Sequence, residues 1–184
     1  MERDIELTDG FITLRPYQMS DISSLYEAVR ESIPEVSLWM GWCHPGYSIE
    51  ESKTWVAGQP ERWDEGTSYD FAITEATGGQ YCGGCGLNHL RYDIGLANLG
   101  YWVRTSRTRK GIATAATLLL TRFAFNELKL NRIEIIAAVG NIASLRVAEK
   151  AGATREGVLR NRLMINGKPS DAVMFSFVPQ DFRR

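Results

Sequence analysis

A basic turn between an apolar strand and a small-residue helix is the part of this sequence best suited to hold an anion. Residues 99–103 form a short apolar run, residues 104–110 are rich in arginine and lysine, and Gly111 precedes a series of small residues. The first N–H groups of a helix have no intrahelical acceptor and lie at the positive end of the helix dipole. The pattern therefore predicts a phosphate cradle at the start of this helix.

The glycine spacing excludes the two common nucleotide loops, because neither G-x-x-x-x-G-K-[ST] nor G-x-G-x-x-G occurs around Gly111. Residues 108–114, TRKGIAT, instead resemble the pyrophosphate loop of the GNAT acetyltransferases, Q/R-x-x-G-x-G/A. Gly111 and Ala113 match the positions where the backbone must approach a diphosphate closely. Thr108 stands where the family pattern has Gln or Arg. A solvated basic loop before an ordinary helix start is the alternative.

A second motif follows the next apolar strand. Asn141 can cap a helix that ends before Gly152, and a purely structural interpretation of this segment is complete in itself. The order N-x-x-S, E-K-x-G and then Glu156-Gly157 resembles the second signature of the same superfamily, and in particular of its RimJ/RimL-like branch of ribosomal-protein N-terminal acetyltransferases. In that branch the Asn and the Ser, here Asn141 and Ser144, lie by the pantetheine arm and the sulfur.

The resemblance covers most of residues 70–178 and implies an α/β GNAT fold. Its central sheet is mixed and mostly antiparallel, with six to seven strands, flanking helices and a splay between the fourth and fifth strands. Residues 1–184 are expected to form a single acetyltransferase domain that uses acetyl-CoA as its cosubstrate and holds no metal. The implied cofactor-binding residues are Tyr101, Trp102, Val103, Arg109, Lys110, Gly111, Ile112, Ala113, Thr114, Asn141 and Ser144.

The expected reaction is direct transfer of an acetyl group from acetyl-CoA to a primary amine. Backbone groups at residues 101–103 would position the thioester, and Ser144 would be the acid for the leaving thiolate. Glu134, on the strand before Asn141, is the candidate general base, with a solvated strand carboxylate as its alternative. No other carboxylate near the two motifs is a better candidate for a base.

Because Glu134 is only a weak candidate for the general base, an acceptor amine that loses its proton easily is favoured. At pH 7 an α-amine with a pKa of roughly 7.7 to 8.0 is about one tenth neutral, whereas a lysine with a pKa near 10.4 is neutral in about one molecule in 2,500. A protein or peptide N-terminal α-amine is therefore the preferred acceptor. The alternatives are a small amine, such as an amino acid, a polyamine or a drug, and a catalytically silent acyl-CoA-binding module.

The acceptor is expected to meet an aromatic region at residues 34–63. Trp39, Met40 and Trp42 are the candidate substrate residues there, because bulky groups broken by glycine and proline suit an apolar, adaptable wall. Trp55 and Trp63 are expected to be core residues instead. Asp171, on the last predicted strand, is a further substrate candidate, with an exposed strand carboxylate as its alternative.

These residues must be positioned by a strand-rich chain. Alternation and turn residues predict strands at 10–16, 69–74, 81–90, 94–103, 132–139, 153–165 and 168–178, and helices that begin near Ser20, Pro34, Ser48, Gly111 and Asn141. A strand that follows a crossover helix should lie parallel to the strand before it, so 132–139 should be parallel to 94–103. Asn166-Gly167 is typical of a type I′ hairpin turn.

Composition limits the class of partner. The 184 residues are 44% hydrophobic and 23% charged with a net charge of −1, which indicates a sizeable core and neither a nucleic-acid nor a membrane partner. The charged N terminus and the lack of an apolar run of roughly 18 residues predict a cytoplasmic protein. Cys82 and Cys85 form a single C-x-x-C pair, which is expected to be reduced thiols in a strand. The sequence leaves a homodimer open.

Overall fold

The computed structural model describes residues 4–182, and its central element is a mixed sheet of eight strands. The strands are β1 (Leu7–Thr8), β2 (Ile12–Pro16), β3 (Tyr69–Glu75), β4 (Tyr81–Arg91), β5 (Leu96–Val103), β6 (Arg132–Ala138), β7 (Thr154–Ile165) and β8 (Lys168–Phe177). Their order across the sheet is β1-β2-β3-β4-β5-β6-β8-β7. The helices are α1 (Ile22–Val36), α2 (Ile49–Ala57), α3 (Gln59–Glu65), α4 (Ile112–Asn126) and α5 (Ile142–Lys150).

The predicted α/β fold is confirmed, with one strand more than expected. All seven predicted strands are present, and the additional one is β1, which pairs with β2 over two residues. Two residues are too few to show an alternating pattern. The helix predicted over 48–62 is divided into α2 and α3 at Gly58. Pro34, predicted to begin a helix, instead lies in the last turn of α1, where it removes one intrahelical bond close to the point at which the helix ends.

The gap between β5 and β6 is the feature that positions the site. In the part of the chain that the structure describes, these parallel strands pair over three residues each and separate after Asn98 and Glu134. Strand β5 stays paired with β4 up to Val103, and β6 stays paired with β8 up to Ala138. The second half of each strand therefore turns a backbone edge toward the gap, which confirms the predicted splay.

Helices cover both faces of this sheet. On one face, Phe123 of α4 meets Phe71 of β3 edge-on, with ring centroids 5.4 Å apart, and α3 and α5 join the same buried cluster. On the other face, α1 and α2 pack with Ala72 in a second cluster. Neighbouring residues of β3 thus enter opposite clusters, as the period of two in a strand requires. Asp70 lies on the same face as Ala72.

The closing hairpin has the predicted turn. Asn166 and Gly167 both have positive φ, 49° and 74°, as a type I′ turn requires. None of the helices within residues 4–182 is long and apolar enough to cross a membrane.

Candidate functional site

The basic turn, residues 104–111, ends at a helix start that is open to an anion. Arg109 and Gly111 are both left-handed, with φ of 63° and 84°. Gly111 caps α4 without a side chain, and the first intrahelical bond runs from the Ala115 N–H to the Gly111 carbonyl at 3.0 Å. The N–H groups of residues 112–114 therefore lack intrahelical acceptors. A Cβ on Gly111 would meet no atom within 4 Å, so the space beside this backbone is open.

Two of the four basic side chains hold the turn in place. The Arg104 guanidinium pairs with Glu31 of α1, and Glu31 also accepts a hydrogen bond from the Ser106 N–H at 2.6 Å. Burial alone would raise the pKa of Glu31, but these hydrogen bonds outweigh it and lower the pKa to about 2. Arg107 pairs with Glu75 at 3.3 Å and donates a hydrogen bond to Gln80.

The other two cations face solvent. Arg109 and Lys110 are exposed, and no ion pair to either is found within residues 4–182. The sequence pattern counts Arg107 among the charges available at the turn, but its guanidinium is already engaged by Glu75. The charge that the turn can offer to a ligand thus comes from Arg109, Lys110 and the free helix amides.

A second group of predicted residues meets at the open end of the gap. The Tyr101 hydroxyl of β5 donates a hydrogen bond to the Ser144 carbonyl at 3.0 Å and lies 3.0 Å from the Ser144 hydroxyl. Asn141 caps α5 by accepting a hydrogen bond from the Ser144 N–H at 3.1 Å. Burial raises the pKa of Tyr101 to about 12, although its hydrogen bond with Ser144 acts in the opposite direction. The pair is therefore neutral at pH 7.

A cavity of about 640 Å³ lies on the face that α1 and α2 cover. We refer to it as the large cavity; its lining includes Tyr17, Met40, Trp42, His44, Glu51, Trp55, Asp70, Gly84, Gly86, Asn88, Gly100, Tyr101 and Trp102. The Trp42 and Trp102 rings meet edge-on with centroids 5.4 Å apart. Because β5 contributes to both regions, the large cavity and the gap share one wall.

The predicted substrate residues occupy different places. Met40 and Trp42 line the large cavity. Trp39 lies beside the turn between β6 and α5, since a Cβ on Gly140 would be 3.4 Å from its ring. Asp171 accepts a hydrogen bond at 2.8 Å from the N–H of Asn161 in the bulge of β7. Its carboxylate therefore stabilises the hairpin backbone.

Glu134, the predicted base, lies where β5 and β6 are still paired. Its carboxylate accepts a hydrogen bond from Arg132 at 2.8 Å, and Arg132 also pairs with Glu156 at 2.6 Å. The register partner of Glu134 is Asn98, three residues before Tyr101, which corresponds to about 10 Å along a strand. The structure therefore brings Tyr101, Asn141 and Ser144 together but holds Glu134 in a separate ion-pair cluster.

Three titratable side chains of the large cavity were not predicted from the sequence. His44 and Glu51 face each other, with His44 Nε2 and Glu51 Oε2 2.9 Å apart. Hydrogen bonds from the Ser48 backbone and from His44 lower the pKa of Glu51. Asp70 accepts a hydrogen bond from the Ser68 hydroxyl at 2.8 Å. The sequence signal that could have identified Asp70 is its position as a charged residue inside a strand whose other residues are mostly apolar. Within residues 4–182 no cluster of three or more such side chains is arranged to hold a metal ion.

Comparisons with known proteins agree with this geometry. A family model described as "Acetyltransferase (GNAT) domain" matches residues 12–154. A Bacillus subtilis (strain 168) protein described as "Putative ribosomal N-acetyltransferase YdaF" is 30% identical over 178 residues, which cover 93% of each chain. A solved Vibrio cholerae structure, described as a "putative ribosomal-protein-serine acetyltransferase", is 26% identical, with a TM-score of 0.85 over 97% of this chain and 100% of that one. RimL, a ribosomal L7/L12 α-N-protein acetyltransferase solved with coenzyme A, shares the fold at 22% identity, with a TM-score of 0.86 over 95% of this chain and 98% of that one.

Proposed function

The chain belongs to the GNAT acetyltransferase family, and from that premise we propose that it transfers an acetyl group from acetyl-CoA to the α-amine of a protein or peptide N terminus. The proposal rests on one observation: two sets of groups that can bind a ligand lie along the gap between β5 and β6. The free amides of residues 112–114 lie at the start of α4, and the Tyr101–Ser144 hydroxyl pair bridges from β5 to α5. The proposal treats residues 1–184 as one acetyltransferase domain.

The residues around the gap fit coenzyme A. A diphosphate needs backbone donors and cations that the protein does not already use, and residues 109–114 supply both, with open space beside Gly111. The pantetheine arm carries amide groups, which the unpaired edge of β5 beyond Asn98 could hydrogen-bond as a neighbouring strand would. Asn141 and Ser144 would stand beside its thiol end. Trp102 and Val103, also predicted to contact the donor, lie on that same length of β5.

Bound acetyl-CoA supplies the acetyl group as an activated thioester. Backbone N–H groups of β5 beyond Asn98 would position its carbonyl and stabilise the negative charge that develops on the oxygen. The Ser144 hydroxyl, held by Tyr101, would give a proton to the departing sulfur. The Tyr101 hydroxyl lies 3.0 Å from both the carbonyl and the hydroxyl oxygen of Ser144, so it can donate its proton to the Ser144 hydroxyl while the Ser144 proton turns to the sulfur.

An α-amine suits the acceptor side better than a lysine or a polyamine. The large cavity has aromatic walls, and of its carboxylates Glu51 is already paired with His44. One uncommitted carboxylate, that of Asp70, matches a single ammonium group. The Bacillus subtilis relative is described as a "putative ribosomal N-acetyltransferase" and the Vibrio cholerae protein as a "putative ribosomal-protein-serine acetyltransferase", which supports a protein N terminus as the acceptor. Membership in a transferase family favours an enzyme over the silent binding module.

The test compares matched acceptors. One short peptide is synthesised with a free α-amine, as its Nα-acetylated form with a free lysine, and with both amines blocked; spermidine and free amino acids complete the panel. Release of the CoA thiol and the mass of the product are measured for each. We expect acetylation at the α-amine, with kcat/KM at least about tenfold above that of the lysine or spermidine, as the neutral fractions suggest. Equal or faster acetylation of spermidine would replace the proposal with the small-amine alternative.

A further inference from the structure

Asp70 is the half-buried carboxylate of the large cavity that the residues described so far leave without a cationic partner. Its side chain accepts a hydrogen bond from Ser68 at 2.8 Å, and no ion pair to it is found within residues 4–182. The positive charge that acts on it through space belongs to Arg62, whose guanidinium stacks 4.8 Å from the centroid of the Trp55 ring. A carboxylate removed from water in this way is costly unless a ligand compensates it.

The strand register places only a glycine of β4 between Asp70 and a glycine of β5. Asp70 is in register with Gly86 of β4, and Gly86 is in register with Gly100 of β5. A Cβ on Gly86 would lie 2.1 Å from Asp70 Oδ1, so the carboxylate rests directly above this glycine. Since neighbouring strands are about 4.8 Å apart, a carboxylate above Gly86 is roughly one strand spacing from the backbone at Gly100. That distance leaves room for one amine nitrogen.

Apart from Arg62, the ionisable groups packed around Asp70 are neutral at pH 7. Tyr17 lies over the neighbouring Gly84 and shares a hydrogen bond with the hydroxyl of Tyr81 at 2.9 Å. Burial raises the pKa of Tyr17, and it raises the pKa of Cys85 on the adjacent strand. Asp70 is thus the anion among these groups, while Glu51 is hydrogen-bonded to His44 elsewhere in the cavity lining.

Resting on the proposed function, we propose that Asp70 binds the ammonium form of the acceptor and takes its proton before the amine attacks the thioester. An N–H bond of the ammonium breaks and an O–H bond forms on Asp70. The neutral nitrogen then bonds to the carbonyl carbon, the C–S bond breaks, and the sulfur leaves with the electron pair. Ser144 gives its hydroxyl proton to the thiolate, and the second proton that leaves the nitrogen replaces it on Ser144. The products are the amide, the CoA thiol and the proton that Asp70 returns to solvent.

Burial raises the pKa of Asp70, against the effect of the hydrogen bond from Ser68. The shift moves a carboxylate toward the pH range in which it can accept a proton from an amine and release it again.

The experiment compares wild type with Asp70→Asn, which keeps the size of the side chain. At pH 7 we expect kcat for an α-amine peptide to fall by about 100-fold or more, within the range for loss of a general base, while the Kd of acetyl-CoA stays within twofold. The deficit should shrink about tenfold between pH 7 and pH 9, because an α-amine with a pKa near 8 rises from about one tenth to about nine tenths neutral. A merely structural role would give a deficit that does not depend on pH.

Two further variants sharpen this test. Ser68→Ala removes the hydrogen bond that lowers the pKa of Asp70, so the acidic limb of the kcat profile should move to higher pH with a severalfold loss at pH 7. Asp93→Asn removes an exposed carboxylate that pairs with Arg91 on the surface turn, and it should retain wild-type kcat. If Asp70→Asn keeps more than half of wild-type kcat at pH 7, the proposal is wrong.

A binding measurement separates this proposal from the proposed function. Calorimetry in the presence of CoA compares the free-amine peptide with its Nα-acetylated form. Asp70→Asn should weaken binding of the free-amine peptide by about tenfold or more at pH 6.5 and leave the acetylated peptide unchanged. Turnover with spermidine alone would refute the α-amine acceptor, and Asp70 would then be tested by the same comparison between spermidine and its fully acetylated form. Equal binding of both peptides to wild type and variant would overturn the role of Asp70.

Discussion

The proposed donor side of the site and the proposed acceptor side are built from different parts of the chain. On the donor side, residues 109–114 and 141–144 are two short segments, each at the start of a helix, and the useful groups are largely backbone amides. On the acceptor side, the large cavity collects side chains from β3, β4, β5, α2 and the segment between α1 and α2. Local sequence therefore determines the donor side, whereas the register of the sheet determines the acceptor side.

The two sides should also differ in how they fail. Backbone donors cannot be removed by a side-chain substitution, so the donor side is disrupted by adding a group to it. The acceptor side depends on individual side chains, so it is disrupted by removing one. The variants below are ordered by the size of the effect that this difference predicts.

The largest effect is expected from Gly111→Glu. The new carboxylate would stand beside the bound diphosphate, and two like charges about 4 Å apart near a protein surface repel by about 4 kcal/mol, which corresponds to about a thousandfold in Kd. Acetyl-CoA binding, measured by calorimetry, should be lost while the fold is retained. Gly10→Glu is the matched control, because Gly10 has the same φ of 84° and no atom within 4 Å of a Cβ. Equal acetyl-CoA binding by both variants would show that residues 109–114 do not hold the diphosphate.

Ser144→Ala should have a smaller effect, and on a different constant. A thiolate whose thiol has a pKa near 8.5 is a good leaving group, so loss of its proton donor should lower kcat by about tenfold, less than the roughly 100-fold or more that is typical of general acid catalysis. The Kd of acetyl-CoA should change less than twofold. Tyr101→Phe removes the hydroxyl that orients Ser144 and should lower kcat by a smaller factor. A change in Kd without a change in kcat would mean that Ser144 has only a structural role at the start of α5.

The difference between the sides also explains what the sequence could predict. Gly111, Asn141 and Ser144 each occupy a local motif, and the Asn166-Gly167 turn needs no distant contact to be recognised. Asp70 was missed because its meaning depends on Gly86, which lies 16 positions away in the chain and becomes its neighbour through the β3–β4 register. The two-residue strand β1 was missed for the same physical reason, since its pairing with β2 defines it.

Glu31→Gln should affect the donor side indirectly. This carboxylate holds the basic turn through Arg104 and the Ser106 N–H, so its loss should weaken acetyl-CoA binding by severalfold. Glu35→Gln is the control, because Glu35 accepts one exposed hydrogen bond from Thr105 at 2.8 Å, and its Kd should change less than twofold. Equal losses in the two variants would mean that the Arg104 pair does not hold the turn.

The same variant gives a prediction for pH. The pKa of Glu31 in the folded protein is about 2, below its ordinary value of 4.5, so the stabilisation that it provides is complete above pH 4.5 and is lost as the pH falls toward 2. The difference in Tm between wild type and Glu31→Gln should therefore be largest at pH 7 and shrink below pH 4. A difference that grows on acidification would contradict the ion pair.

The smallest effect on turnover is expected from Glu134→Gln, and it sets the two candidate bases against each other. Glu134 shares Arg132 with Glu156, and Arg132 lowers the pKa of Glu156 to about 2. The amide can still accept the hydrogen bond from Arg132, while Glu156 keeps its own pair, so the cluster should survive the substitution. If Asp70 is the base, kcat at pH 7 stays within twofold and its pH profile is unchanged. A loss of 100-fold that recovers toward pH 9 would instead assign proton removal to Glu134, and would mean that the closed end of the β5–β6 gap opens to admit the amine.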